Sequence, residues 1–212
     1  MNTARSALSS IIAIDGTAEG CHPLVARFMK GVYNLKPPAA RYKGIWDVSV
    51  VLRHLRTLHP LSALSLKSLS HKLVMLLALT TAQRLQTHHI LDIGLMTIEP
   101  NYIVFCFDSP LKQSNPRNSI KPLIIRKYSP DKRLCAYTVL QEYLRRTEAI
   151  RGNENQLLIS HQRPFRKISR DSISRWLNTV LKNFGVKLDQ FKAHSTRSAS
   201  TSAAKKASVP MQ

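Results

Sequence analysis

The segment Leu66–Leu79, LKSLSHKLVMLLAL, constrains this chain more than any other stretch. Wound as a helix it is apolar on nearly every face, and such a helix is stable only when it is buried. It is expected as the central helix of a domain. Its uninterrupted apolar run, Leu73–Leu79, is far short of the roughly 20 residues that cross a bilayer. No membrane partner is expected.

Around that helix the periodicities are mostly helical. Asn2–Ile14 reads as a weak helix ended by Asp15-Gly16. A second helix begins at Pro23, carries Leu24, Phe28 and Val32, and is broken by Pro37-Pro38. A third has Val48, Val51, Leu52, Leu55 and Leu58 on one stripe and stops at His59-Pro60. Beyond the central helix, Arg84–Leu91 resumes a helical pattern. Tyr102–Phe107 and Ile120–Arg126 are β-type runs separated by the turn-rich loop Asp108–Ser119. Asp131 can cap a helix whose inward residues are Ala136, Val139, Leu140, Tyr143 and Leu144. Leu157–Ile159 is at most a brief strand. Asp171–Phe184 is the best amphipathic helix, with Gly185 as its stop, and His194–Ala207 is a Ser/Thr/Ala-rich helical stretch. The fold class expected is mainly α with a small antiparallel β-sheet.

Charge narrows the partner. Lys and Arg number 32 against 12 Asp and Glu, a net of +20. The surplus is uneven. Residues 1–106 hold 11 basic and 5 acidic residues, and residues 107–212 hold 21 and 7. A self-repelling surplus of this size calls for a polyanion, and nucleic acid is the first candidate. The competing readings are a ribosomal or chromatin-type protein with basic tails and, less well supported, a binder of acidic membrane. The basic residues are interleaved with core-forming ones, which argues against tails. Three separated cysteines, Cys21, Cys106 and Cys135, fit neither a disulfide framework nor paired zinc ligands. The eight histidines and twelve acids make no metal constellation, so neither metal nor other cofactor is expected.

Four features could carry chemistry. Arg84 directly follows the buried helix, where a guanidinium needs a partner or an anionic ligand; read alone, a snorkelling helix arginine is the favoured reading. His194 and Arg197 are three apart and share a helix face, so they can converge on one phosphate; the bland alternative is a solvated, Ser-rich helix. Lys112 sits in the loop between the two β-type runs with Arg117, and a hairpin tip can enter a DNA groove, although most loop lysines are simply exposed. Arg163, Arg166, Lys167, Arg170 and Arg175 precede and open the amphipathic helix with only Asp171 to oppose them. That is the pattern of a phosphate-gripping helix start.

In their order along the chain, these features resemble the tyrosine recombinases, the phage-integrase-like enzymes that break and rejoin DNA. The stretches LTTAQRLQTHHIL, LKQS, LCAYTVLQEYLRRT, ISRWL and FKAHSTRSASTSAAKKA look most like recombinases of eukaryotic mobile elements, among them tyrosine-recombinase retrotransposons and related DNA transposons. The likeness covers roughly residues 60–212. It implies a division into a partial helical core-binding domain, 1–62, and an integrase-like catalytic domain, 63–212. It implies roles as well: Arg84 and Arg197 stabilise the phosphorane-like transition state, Lys112 protonates the leaving 5′-hydroxyl, and His194 assists proton transfer. DNA-binding roles fall to Arg117, Arg163, Arg166, Lys167, Arg170 and Arg175. Double-stranded DNA is the implied partner, self-association on DNA stays open, and the nucleus is the implied location in a eukaryotic cell. The sequence departs from the family at Thr87, where a glutamate is usual. All six tyrosines precede His194, whereas the family's nucleophilic tyrosine follows it. The expectation is a fragment or relic that binds DNA without its nucleophile. The alternative is a non-catalytic nucleic-acid-binding module that kept the scaffold, with an unrelated basic RNA-binding protein as a third reading.

Overall fold

The computed structural model describes residues 2–37, 44–108 and 121–208. By packing, the chain forms two compact units, Met1–Lys43 and Gly44–Gln212. The division falls before the helix Val48–Thr57 and not at 62/63. Val51 and Leu55 of that helix are fully buried in the core of the second unit, so the helix cannot be separated from it without exposing them.

The first unit holds α1 (Asn2–Leu8), a hairpin of β1 (Ala13–Ile14) and β2 (Thr17–Ala18), and α2 (Pro23–Leu35). The helix expected over Asn2–Ile14 stops at Leu8, and Asp15 and Gly16, both at positive φ, +50° and +75°, turn the chain within the hairpin that follows. Two such residues make the two-residue turn that matches strand twist, and Asp-Gly is a favoured pair for it. Pro23 opens α2, whose first turn is capped by the His22 ring accepting from the Leu24 amide.

The second unit is built around α4 (Leu66–Thr81), capped by Ser65. Leu69, Leu73 and Leu77 on one face of that helix and Met75 on the opposite one are all fully buried. They are covered on separate sides by α6 (Ala136–Thr147), α7 (Arg170–Asn183) and α8 (Ser195–Lys206). A polar face would have been stranded there, which is why the sequence has none. The helix α3 (Val48–Thr57) is capped by Asp47, which accepts from the Ser49 amide at 2.9 Å. The helix α7 is capped by Ser169 and stops at Gly185, φ +78°. Val186 N–H bonds Leu181 C=O and Gly185 N–H bonds Lys182 C=O. These two bonds satisfy carbonyls at the end of α7 that would otherwise be orphaned.

The sheet has three antiparallel strands in the order β3 (Met96–Ile98), β4 (Tyr102–Phe105), β5 (Leu123–Arg126). Ile103 and Phe105 of β4 alternate with more exposed neighbours, as do Leu123 and Ile125 of β5, so one face of the sheet is buried in the core. Two positions read differently from the sequence. Leu157–Ile159 forms no ladder; only isolated bridges, Asp92↔Gln156 and Ile159↔Lys167, involve this region. Asp131 caps a short 3₁₀ turn, Lys132–Leu134, and α6 itself starts after Cys135. Two buried cations serve the fold. Lys72 donates to Leu58 C=O at 2.6 Å, and burial lowers its pKa to about 8. Arg151 ties Thr147 of α6 to the carbonyls of Glu154 and Gln156. Among the described residues no helix is long and apolar enough to cross a membrane.

Candidate functional site

Arg84 occupies the N-cap of α5 (Leu85–His89), in extended conformation, φ −76° and ψ 154°. The chain reaches it by a sharp reversal at Ala82, which closes α4 in the left-handed region at φ +48°. The Thr81 hydroxyl braces the reversal. It donates to Leu77 C=O at 2.7 Å and lies 3.1 Å from His88 Nε2. A hydroxyl whose proton is committed to Leu77 accepts from His88, so His88 carries its proton on Nε2. Its other nitrogen, Nδ1, is buried without a partner. Burial lowers the His88 pKa to about 4, which keeps the ring neutral at physiological pH. Thr87 is buried as well. The first turn of α5 is therefore pinned from below, and the Arg84 side chain above it is half-buried.

His194 and Arg197 flank the start of α8. His194 is its N-cap, in helical conformation, and Arg197 lies within the first turn; both are exposed. Ser195, between them, is buried. Its Oγ accepts from the Trp46 indole N–H at 3.0 Å and donates to Lys192 C=O at 2.7 Å. The Asn178 side-chain carbonyl of α7 accepts from the Ala193 amide at 2.8 Å. One turn after Arg197, the Ser200 hydroxyl donates to Leu79 C=O in the last turn of α4. The helix carrying His194 and Arg197 is thus fastened to the end of the helix that leads into Arg84. None of Trp46, Asn178 or Ser200 stands out by spacing or composition.

The basic cluster sits on a loop and a helix start. Ser160 N–H bonds Arg166 C=O at 2.8 Å, closing a turn that carries Arg163, Arg166 and Lys167, and Arg170 opens α7. All five cations, Arg163, Arg166, Lys167, Arg170 and Arg175, are exposed. Arg175 reaches back to Ser172 Oγ at 2.9 Å. His89, at the far end of α5 from Arg84, feels Arg170 and Lys167; burial first, then these charges, hold its pKa down. Five residues of helix separate Arg84 from His89, about 8 Å along the axis. The short helix therefore bridges Arg84 to the basic cluster, and α5 packs on α7. Lys112 and Arg117 lie outside the described residues. Among the described residues no group of three or more His, Cys, Asp or Glu could hold a metal ion.

No family model matches this sequence, and no curated protein does. Solved structures do match in shape. The XerH site-specific recombinase bound to its difH substrate, in a pre-cleavage complex, superposes with a TM-score of 0.56 at 9% identity, over 97% of this chain and 59% of that one. XerA recombinase gives 0.57 at 14% identity, over 88% of this chain and 62% of that one. A post-cleavage complex of XerH on palindromic difH gives 0.54 at 13% identity, covering 76% and 42%. The 212 residues thus span less than two thirds of each of these chains. At such identities the likeness is one of fold, and the fold is that of the tyrosine-recombinase catalytic domain.

Proposed function

We propose that this chain is the DNA-binding core of a tyrosine recombinase, with Arg84, His194 and Arg197 gathered on one scissile phosphate. The observation that carries this reading is the fastening of α8 to the end of α4 through Ser200 and Leu79. It supports a common site for two cations far apart in sequence, in a fold shared with XerH and XerA. Duplex DNA fits the +20 charge. Two planar guanidinium groups would clamp the non-bridging oxygens as negative charge builds in the transition state. His194 would move a proton beside them, and Lys112 would protonate the leaving 5′-hydroxyl. The two guanidinium groups cannot attack the phosphorus, and in this reading His194 and Lys112 move protons instead of attacking. Strand cleavage needs a phenolic oxygen in line with it, and all six tyrosines here precede His194. In this reading the nucleophile comes from residues outside these 212 or from another chain, and self-association on DNA is one way to bring it. We infer a nuclear site of action from the resemblance of the sequence to recombinases of eukaryotic mobile elements.

The test is selection of a preferred duplex from a random library, followed by ethylation interference on the selected site. One phosphate should dominate the interference. Arg84→Ala and Arg197→Ala should each abolish the effect of ethylating that same phosphate. If the two variants lose different phosphates, or neither loses any, the shared site is refuted.

A further inference from the structure

We propose that the open edge of β5, with the cavity running along it, takes up an extended segment of an acidic partner protein by strand addition. The cavity is about 460 Å³ and is touched by Ile124, Ile125 and Arg126 of β5 and by Lys127 and Tyr128 just beyond. Successive strand residues point to opposite faces of a sheet. A cavity that meets five consecutive residues therefore lies along the edge of the strand and not over either face. It is the edge away from β4. The pairing with β4 runs from Tyr102↔Arg126 to Phe105↔Leu123, and no β4 residue lines the cavity. Among the described residues no strand pairs with β5 on that side.

An unpaired edge offers a row of backbone donors and acceptors to another chain. In strand addition those groups supply affinity, and pockets for alternate side chains supply specificity. Both are present here. The wall opposite the edge is apolar, formed by Leu76 and Leu79 of α4 with Leu52 of α3. Alternate side chains of the added strand are therefore apolar. Arg126 and Lys127 border the same cavity, with Arg56 beside them already paired to Asp131, so acidic residues flank the apolar ones. An apolar wall offers nothing to a phosphodiester backbone, which favours a peptide over nucleic acid. The Tyr128 N–H already donates to Cys135 Sγ, so the open edge runs over Ile124–Lys127, about 13 Å, room for a segment of roughly four residues. This inference is independent of the recombinase reading and stands or falls without it.

The probe is a fluorescein-labelled nine-residue peptide, alternating leucine and threonine at its centre with two glutamates at each end. It is titrated into the 212-residue chain. Saturable binding is expected, with amide hydrogen exchange slowed at Ile124 and Arg126, since the Lys127 N–H already bonds Asn101 C=O and the Tyr128 N–H bonds Cys135 Sγ. N-methylating one of the two alternate sets of backbone nitrogens keeps every side chain and should weaken binding at least ~10-fold. Arg126→Glu, at an exposed position, should weaken it ~10-fold with an unchanged circular dichroism spectrum. Lys127→Glu serves as the second variant should that spectrum change. Absence of binding, indifference to both N-methylated sets, indifference to the charge reversal, or protection confined to other segments each overturns the proposal. So does a DNA duplex that displaces the peptide and protects the same amides, because the groove would then belong to nucleic acid.

Discussion

Ala82 holds a backbone conformation that alanine avoids. At φ +48° its Cβ crowds the following carbonyl, at a cost of about 1–2 kcal/mol. The position is two residues before Arg84, and the strain persists because the surrounding bonds over-determine it. Thr81, with its hydroxyl tied to Leu77 and His88, fixes the residue before the turn. The α5 amides of Thr87 and His88, bonded to the Arg84 carbonyl at 2.9 and 3.4 Å, fix the residues after it. Glycine would remove the steric cost but give the unfolded chain more freedom, which takes back about 0.4–1 kcal/mol. Ala82→Gly is therefore expected to stabilise the protein by about 0.5–1 kcal/mol in urea unfolding. Destabilisation of that size would show instead that the alanine methyl is packed and that the strain argument is wrong.

At the scale of elements, the first turn of α8 depends on a contact that spans 149 positions, Trp46 to Ser195. Trp46→Phe keeps an aromatic side chain, smaller than the indole, and removes the donor, leaving the buried Ser195 hydroxyl with only its bond to Lys192 C=O. The expected loss is about 1–2 kcal/mol. In a double-mutant cycle with Ser195→Ala, a coupling of ~1 kcal/mol is expected, since both changes remove one bond; strictly additive losses would show that the bond contributes nothing. The same contact shows what a linear reading can reach. The helices α4 and α7 were legible because the apolar run of the first and the stripe of the second each last for several turns, and Gly185 marks the end of α7. The strand β3 was not. Met-Thr-Ile is too short to show a period, and it is a strand only because Met96 faces Phe105 and Ile98 faces Ile103. Asp15-Gly16 read as a helix stop because the flanking pairs Ala13–Ile14 and Thr17–Ala18 are too short to alternate. As candidates, Arg84, His194 and Arg197 could be picked out by type, order and resemblance. The groups bracing them, Trp46, His88 and Asn178, could not, since their importance lies in partners remote in the chain or hidden by burial.

For the whole molecule, the excess of positive charge should decide affinity more than any single contact. Each phosphate neutralised releases condensed counterions, so binding that uses ~6–10 phosphates should weaken about 10³–10⁵-fold between 50 and 200 mM salt. The exposed cluster Arg163, Arg166, Lys167, Arg170 and Arg175 is one dense part of that footprint. It also lies where α5 meets α7, so its phosphates would be near neighbours of the one assigned to Arg84. Replacing Arg163, Arg166 and Lys167 together by glutamine removes three cations from an exposed turn. The backbone bond that closes that turn, Ser160 to Arg166, involves no side chain of the three, so the fold should be kept. If each cation meets one phosphate, the slope of log K against log[salt] should fall by about 3. The loss of affinity should be nearly the same on every duplex sequence, because phosphate contacts position a protein without reading bases. Arg84→Ala should behave differently, lowering the slope by about 1 and changing binding chiefly where the selected site places its key phosphate. A triple variant with an unchanged slope would mean that the cluster faces away from DNA, and the assignment of Arg163, Arg166 and Lys167 to the interface would then have to be abandoned.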